Sequence, residues 1–161
     1  EIGIPFSDPI AEGKTIEYAH HKSLENGFNY DDLFKITGKF KDKSNTPIIA
    51  MGYTNSFMNP SPEDFSKNLE LANFDGILVV DLPYQEKEIL ECYKKNNLEF
   101  IQLIAPTSKN KTISESIKND PSLIYYITQR GVTGLNNIDF SEAIVKLKNI
   151  RKIIYFTFKY F

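Results

Sequence analysis

The sequence has little cysteine and few long apolar runs, and we expect no leader. Its one cysteine, Cys92, excludes a disulfide framework within the chain and fits a reducing compartment. The longest apolar runs, such as the one around residues 77–80, stop far short of the roughly 20 residues that a membrane-spanning helix needs. No charged region followed by an apolar or Arg/Ser-rich stretch opens the chain. We therefore expect a soluble, cytoplasmic protein without a membrane partner.

Charge of one sign is not in excess either, because 19 Lys and Arg stand against 21 Asp and Glu. Nucleic acid is therefore not an expected partner. The two histidines, His20 and His21, are adjacent in a predicted helix and have no partner at ligand spacing. We expect two surface histidines and no metal site.

Short apolar runs alternate with longer stretches of helical periodicity. Strands are predicted at residues 2–5, 47–53, 76–81, 100–105, 123–127 and 152–156. Helices are predicted at residues 15–26, 30–41, from 61, 85–96, 112–119 and 141–149, with Thr15 and Ser61 as N-caps and Gly27 as a stop signal. This βαβ alternation predicts an α/β fold with parallel strands and outer helices.

Two architectures fit six such strands: an open doubly wound sheet and an incomplete (β/α)8 TIM barrel. No G-x-G-x-x-G turn follows any strand, so a dinucleotide-binding sheet loses support. A complete barrel takes about 250 residues, so as a barrel this chain would lack roughly two units. The chain opens on Glu1 directly before an apolar stretch and ends on an aromatic run. We interpret residues 1–161 as a fragment that forms one partial barrel domain.

In parallel α/β folds the ligand lies at the carboxyl ends of the strands. Those ends carry small, polar or turn-forming residues, in the strings FSDPIAEGK, GYTN, DLP, APTS and TQRGVTG. The connections at the opposite ends look ordinary. The asymmetry predicts an active face at the carboxyl edge of the sheet.

Three carboxylates on that face have two readings each. Glu1 either points into the apolar barrel interior, where burial would suit it to acid/base work near neutrality, or is a frayed terminal residue. Glu12 is either a second acid/base group or a solvated loop carboxylate. Asp81 is either a site residue or a structural acceptor of loop amide hydrogens.

Other candidates on this face are less specific. Tyr125 and Tyr126 alternate on a strand, so only one faces the interior, where its hydroxyl either positions a substrate or is satisfied in the core. The Gly-Val-Thr-Gly string at residues 131–134 offers unobstructed loop amides that suit a phosphate, although any tight turn can contain it. Cys92 is expected to be a helix-packing thiol.

Five strings, in order and spacing, resemble the tryptophan synthase alpha subunit family. EIGIPFSDPIAEG is similar to the long and specific family motif E-L-G-x-P-F-S-D-P-x-A-D-G. PIIAMGYTN, DGILVVDLP, LIAPTS and YYITQRGVTG follow, and the likeness covers nearly the whole chain. The resemblance implies a TIM-barrel lyase that cleaves indole-3-glycerol phosphate by a retro-aldol reaction to indole and glyceraldehyde 3-phosphate.

The resemblance also implies roles for particular residues. The glutamate at the position of Glu1 is the family's acid/base at indole C3 and the glycerol hydroxyl, and the acid at the position of Glu12 assists at the indole nitrogen. The substrate-binding positions that it implies are Tyr53, Tyr125, Thr133 and Gly134. Loops bearing Asp8, Pro9, Asn55 and Pro83 face a beta subunit in an α2β2 complex. Indole passes to that pyridoxal-phosphate enzyme, and the alpha subunit itself has no cofactor.

Three departures from the family pattern stand out. Glu12 replaces the usual aspartate, and the family's Gly-Phe-Gly phosphate loop corresponds to Thr157, Phe158 and Lys159. The first βα unit and the end of the barrel are missing, so we expect the chain alone to bind substrate poorly and to aggregate. One alternative, another phosphate-binding barrel of tryptophan synthesis, is disfavoured by the SDP-x-A-(D/E)-G loop. The other is a truncated or degenerate relative that is inactive alone and only docks on a beta subunit.

Overall fold

The computed structural model describes residues 1–128 and 140–159 of the chain. The strands are β1 (Ile2–Gly3), β2 (Ile49–Gly52), β3 (Gly76–Val79), β4 (Glu99–Ile104) and β5 (Leu123–Tyr126). The helices are α1 (Lys14–Glu25), α2 (Tyr30–Lys41), α3 (Pro62–Leu71), α4 (Lys87–Lys95), α5 (Asn110–Ile117) and α6 (Ser141–Lys159), and a 3-10 turn (Thr54–Phe57) follows β2. A helix with the length and apolar character needed to cross a bilayer is not found in these ranges.

The described strands form one parallel sheet in the order β1-β2-β3-β4-β5. Each strand pairs with the next strand along the chain, and helices connect them. The strand order of a doubly wound sheet reverses at a switch point, and no such reversal occurs among these strands. The sequential order is that of a β/α barrel, and the predicted parallel α/β architecture is confirmed.

The sixth predicted strand, at residues 152–156, is wrong, because α6 continues through this segment. Ile150 is buried in a cluster with the isoleucines of α5, and Ile153 and Ile154 pack against the same cluster. Their spacing of three and four residues places them on one face of a helix. A short apolar run fits a buried strand and a helix face equally well, so periodicity alone could not separate the two.

Local chemistry sets several helix ends as predicted. The Ser61 hydroxyl accepts the backbone N–H of Asp64 at 3.1 Å and begins α3. Gly27 follows α1 with a φ of +77°, a left-handed conformation that favours glycine. The N-cap of α1 is Gly13, two residues before the predicted cap Thr15.

The main core lies between the sheet and the helices of its outer side. Ala50, Ile77, Val79 and Phe100 of three neighbouring strands pack against buried side chains of the helices, namely Leu33, Phe65, Leu69, Leu90 and Tyr93. Burial of each large apolar side chain stabilises the fold by about 1.5–3 kcal/mol. Since side chains alternate along a strand, residues such as Met51 and Leu78 turn to the opposite, interior side of the sheet.

Asp75 connects β3 to β2 and to the end of α2. Its Oδ2 accepts hydrogen bonds from the Ile48 N–H at 2.6 Å and from Lys41 Nζ at 2.6 Å. Burial alone would raise the pKa of Asp75, but the hydrogen bonds from Lys41 and Ile48 outweigh it and lower this pKa. A carboxyl with a lowered folded pKa stabilises the fold above its unfolded pKa and loses that contribution as pH falls.

We predict that Asp75→Asn lowers the free energy of unfolding at pH 7 by about 1–2 kcal/mol, because charge-assisted hydrogen bonds are weakened. The difference from the wild type should shrink as pH falls through the folded pKa of Asp75, since the wild-type carboxylate is then protonated. Urea denaturation at neutral and acidic pH measures both effects. Glu91→Gln, an exposed change on α4, is the control, and equal stability of Asp75→Asn and wild type at pH 7 would contradict the assigned role.

Candidate active site

Strand alternation separates the two tyrosines of β5. Tyr126 packs against the apolar cluster between the sheet, α5 and α6, so it faces the helices. Tyr125 therefore faces the interior side, next to Leu103 of β4 in the strand register. As the alternation predicted, one tyrosine of the pair faces the interior, and it is the one that the family resemblance assigns to the substrate.

The Tyr125 hydroxyl lies within electrostatic reach of both candidate acid/base residues. The carboxylate of Glu1, then burial, then the carboxylate of Glu12 raise the pKa of Tyr125. Ile2 packs against the core on the helix side of the sheet, so alternation directs the preceding residue, Glu1, to the interior side, where Tyr125 also lies. The hydrogen bond from the Ala11 N–H to the Tyr53 hydroxyl holds the loop of Glu12 at the end of β2.

The surroundings of the two carboxylates differ from the expectation for Glu1. Glu1 is exposed, and Glu12 is half-buried. The enclosed apolar environment predicted for Glu1 is thus not formed by the described residues. The reason is the position of β1, which pairs with β2 on one side and has no described strand on the other.

Tyr53, predicted to bind substrate, supports the loop between β1 and α1. Its side chain is 3% exposed, its ring stacks on Phe6 with centroids 5.1 Å apart, and its hydroxyl oxygen accepts the Ala11 N–H at 3.0 Å. Burial raises the pKa of Tyr53 against the opposing effect of the Ala11 N–H, and the carboxylates of Glu12 and Asp81 raise it further. The hydroxyl is therefore an anchor for the loop that carries Glu12.

His20 is a second anchor that the sequence pattern missed. It is 9% exposed, and its Nδ1 accepts the Phe6 N–H at 2.9 Å, so the predicted surface position is wrong; His21 is exposed as expected. Burial lowers the pKa of His20, which the carboxylate of Glu12 only partly offsets. The half-buried Ser23, three residues later, shares its helix face. Ile16 and Leu24, four residues before and after His20, are apolar but exposed, so the pattern along this face did not mark His20 as buried.

Asp81 has the structural role, which is one of the two roles that the sequence allowed for it. Its Oδ1 accepts the Thr54 N–H at 2.6 Å and the Thr54 hydroxyl at 2.8 Å. The carboxylate thus holds the turn after β2, which contains Asn55, against the end of β3.

The predicted partner-facing residues lie mostly at the surface. Asp8, Asn55 and Pro83 are exposed, whereas Pro9 is buried. Ile10, which the sequence analysis did not single out, is 88% exposed on the same loop as Asp8. Ile10 is thus an exposed apolar side chain of this loop.

Two predicted substrate-binding residues, Thr133 and Gly134, lie outside the described residues, as does the rest of the predicted phosphate-binding loop. Within the described ranges, no group of three or more His, Cys, Asp or Glu side chains is placed to hold a metal ion. Cys92 is buried on α4, as expected, and its thiol donates to Glu63 Oε1 at 3.1 Å.

Glu1, Glu12 and Tyr125 carry groups of the kind that transfer or donate protons. Carboxylates can give or accept protons, and a phenol whose pKa is raised keeps its proton at neutral pH and donates a hydrogen bond. General acid/base chemistry on a small molecule held between these groups is what the arrangement can perform.

Sequential parallel strands and outer helices place the protein in the class of β/α barrels. The chain belongs to the tryptophan synthase alpha chain family, because the family model of that description matches residues 1–154.

Individual relatives agree with this family. The tryptophan synthase alpha chain of Thermococcus kodakarensis is 38% identical over 154 residues, which cover 95% of this chain and 61% of that relative. The alpha chain of Cyanidium caldarium is 38% identical over 156 residues, which cover 95% of this chain and 58% of that relative. The chain spans about three fifths of the length of these curated relatives.

Solved structures show the same fold. The tryptophan synthase α2β2 complex from Pyrococcus furiosus includes a chain that superposes with a TM-score of 0.84 at 33% identity, over 94% of this chain and 61% of that chain. A mutant alpha subunit from the same organism gives a TM-score of 0.83 at 32% identity. These neighbours are TIM barrels, and the present chain matches part of the barrel, which confirms the predicted fold class.

We predict that Glu1→Gln lowers the pKa of Tyr125 toward its ordinary value, and by more than Glu12→Gln does, because Glu1 contributes the larger effect. Removing a negative charge near a phenol makes its ionisation easier. NMR titration of ring-labelled tyrosines, with the Tyr125 signal assigned through Tyr125→Phe, measures the shift. Glu91→Gln should leave it unchanged. If neither substitution moved the pKa, the two carboxylates would not share one site with Tyr125.

Proposed function

We propose that the chain forms the part of a tryptophan synthase alpha subunit that carries the acid/base residues. The proposed reaction is the retro-aldol cleavage of indole-3-glycerol phosphate to indole and glyceraldehyde 3-phosphate, a lyase step of tryptophan biosynthesis. The observation that carries this proposal is that Glu1 and Tyr125 face the interior side of the sheet, while the hydrogen bond from Ala11 to Tyr53 holds the loop of Glu12 at the end of β2. The family membership of the chain supports the same assignment.

The chemistry of the cleavage accounts for two carboxylates. The bond between indole C3 and the first glycerol carbon breaks, so C3 must gain a proton and the hydroxyl on that carbon must lose one as the aldehyde forms. We assign both transfers to Glu1, which gives a proton to C3 and then takes the hydroxyl proton, so that its own protonation state is restored. The Glu12 carboxylate accepts a hydrogen bond from the ring N–H and stabilises the positive charge that the ring acquires when C3 is protonated.

The remaining site residues bind and position the substrate. Tyr125 lies on the interior side and would contact the indole ring or its glycerol chain, and Tyr53 holds the loop that carries Glu12. We assign the phosphate to the loop of Thr133 and Gly134, because backbone N–H groups without side-chain obstruction suit an anion.

The proposal extends to assembly. We infer that residues 1–161 form one partial barrel domain of a cytoplasmic protein that needs no cofactor of its own. Indole would pass to a pyridoxal-phosphate beta subunit in an α2β2 complex. Exposed Asp8, Asn55 and Pro83 support docking at the carboxyl edge of the sheet. Turnover would require the rest of the barrel, since the chain spans about three fifths of its relatives.

A second candidate function is docking on a beta subunit without turnover. The observation that favours it is Ile10, whose side chain is 88% exposed on a loop that carries the exposed Asp8. An exposed branched apolar side chain beside a charged one suits the apolar centre and polar rim of a protein interface.

The lyase proposal predicts the behaviour of a barrel completed with the flanking segments of the Thermococcus kodakarensis relative. Such a chain should release indole from indole-3-glycerol phosphate, and Glu1→Gln should reduce the rate by about 10²–10⁴-fold, the usual contribution of general acid/base catalysis. Glu12→Asp should raise turnover by about tenfold, because it shortens the side chain to the family's geometry. Indole formation with and without a beta subunit measures these effects, and Glu91→Gln is the control.

Binding of the Glu1→Gln chain to a beta subunit should remain unchanged, because Glu1 is not among the proposed docking residues. Retained turnover in Glu1→Gln would contradict the assigned role. Binding and stimulation of a beta subunit without indole release by the completed chain would instead favour the docking function.

For docking, we predict that Ile10→Asp weakens binding to a beta subunit by about 10–100-fold, because a charge would replace an apolar anchor at the interface. Isothermal titration calorimetry of the completed chain measures this affinity. Ile36→Asp is a matched control, since Ile36 is also an exposed isoleucine (63%) but lies on α2. Equal affinity of Ile10→Asp and wild type would remove Ile10 from the interface.

A further inference from the structure

The loop between β1 and α1 is held at two points, one near each end. Near its start, the Phe6 N–H donates to Nδ1 of His20 at 2.9 Å. Near its end, the Ala11 N–H donates to the Tyr53 hydroxyl at 3.0 Å, and the ring of Tyr53 also stacks on that of Phe6. Glu12 directly follows the second anchor. Both hydrogen bonds therefore hold the backbone of the loop that carries Glu12.

The hydrogen bond to His20 requires one particular state of the imidazole. Nδ1 accepts the Phe6 N–H, so the single proton of the neutral ring lies on Nε2. A protonated imidazole carries hydrogen on both nitrogens and cannot accept, so its Nδ1–H would oppose the Phe6 N–H. The ionisable groups acting on His20 are Glu12 from the loop and His21 from α1. Burial favours the neutral ring that the hydrogen bond needs.

We propose that His20 is a positioning residue, which holds the start of this loop through its neutral imidazole and thereby fixes the position of Glu12 in the proposed site. The structural part concerns the tether between His20 and Phe6. The catalytic part, which rests on the proposed lyase function, is that loss of the tether displaces the Glu12 carboxylate from the indole nitrogen. His20 does not touch the reacting atoms in this scheme.

The chain itself offers a direct test of the tether, because it contains only two histidines. Nitrogen NMR of histidine-labelled protein should show His20 as the Nε2–H tautomer, with the exposed His21 as an internal reference that averages over both tautomers. On acidification, His20 should protonate below the pH usual for an imidazole, because burial lowers its pKa, and the Phe6 amide signal should shift together with His20. A His20 ring that carries its proton on Nδ1 at neutral pH would overturn the proposal.

Three variants then separate positioning from simple packing. His20→Asn retains an acceptor, because its amide oxygen can occupy a place close to that of Nδ1, whereas His20→Leu fills space without accepting a hydrogen bond. His21→Leu is the matched control on the neighbouring exposed position. Hydrogen exchange of the loop amides of residues 6–8 and 10–12 should be about tenfold faster in His20→Leu, as expected for the loss of one hydrogen bond, and near wild type in the other two. Exchange in β3 reports whether the overall fold is retained.

The catalytic part is measured in the completed barrel. His20→Leu should lower kcat more than it raises KM, and His20→Asn should restore kcat. His20→Asn should also remove the loss of kcat that follows protonation of His20 at low pH, which a merely structural role would not alter. Equal hydrogen exchange of the loop in His20→Leu and wild type would overturn the tether. If His20→Leu does not fold, the nitrogen signals of the wild type and the hydrogen exchange of His20→Asn test the tether instead.

Absence of indole release from every variant, including wild type, would count against the lyase function alone. The tautomer and exchange measurements do not depend on turnover, so they still decide whether His20 holds the loop. An intact tether whose removal leaves kcat and its pH profile unchanged would overturn the catalytic part of the inference.

Discussion

The parallel pairing of neighbouring strands is the constraint from which the geometry of the site follows. Because the strands run in one direction, the loops after β1, β2 and β3 emerge at the same edge of the sheet. The pairing of Ile2 with Ala50 sets β1 beside β2, so Tyr53, just beyond β2, reaches the loop after β1. The hydrogen bond between Ala11 and Tyr53 therefore joins residues 42 positions apart without any special connection.

Local features of the fold could be predicted from the sequence because their causes are local. The bounds of α2 agree at both ends with those expected, and Ser61 and Gly27 act as the cap and the stop that their chemistry indicates. The segment at residues 152–156 could not be predicted in this way. Its apolar side chains satisfy both a strand and a helix, and contact with α5, which no local pattern records, decides in favour of the helix.

The candidate site likewise has some features that could be predicted from local sequence and others that could not. Motif resemblance singled out Glu1, Glu12 and Tyr125, and the direction of parallel strands predicts that they share one face. The exposure of Glu1 and the burial of His20 depend instead on which elements cover them. Neither property has a local sequence signature. An edge strand, beside which Glu1 lies, has the same residue pattern as a central strand, and a histidine in a polar helix, such as His20, has the pattern of a surface residue.

The two anchors of the loop determine how the longer side chain of Glu12 is accommodated. The Ala11 N–H donates to the Tyr53 hydroxyl, and the Glu12 N–H donates to the Pro9 carbonyl at 3.1 Å. These two hydrogen bonds fix the backbone at Ala11 and Glu12. A backward shift of the loop backbone by the length of one methylene group would break at least one of these hydrogen bonds. The cost would be about 0.5–1.5 kcal/mol.

The additional length relative to the family's aspartate must therefore be taken up by the side chain, through one more rotatable bond. Rotation about that bond moves the carboxylate across the mouth of the site while the loop stays in place, and the half-buried setting of Glu12 restricts the rotamers available. In the proposed reaction, this affects the hydrogen bond to the ring nitrogen and leaves the proton transfer by Glu1 at C3 untouched. A difference in activity between this chain and its aspartate-bearing relatives should then originate at the nitrogen end of the indole ring.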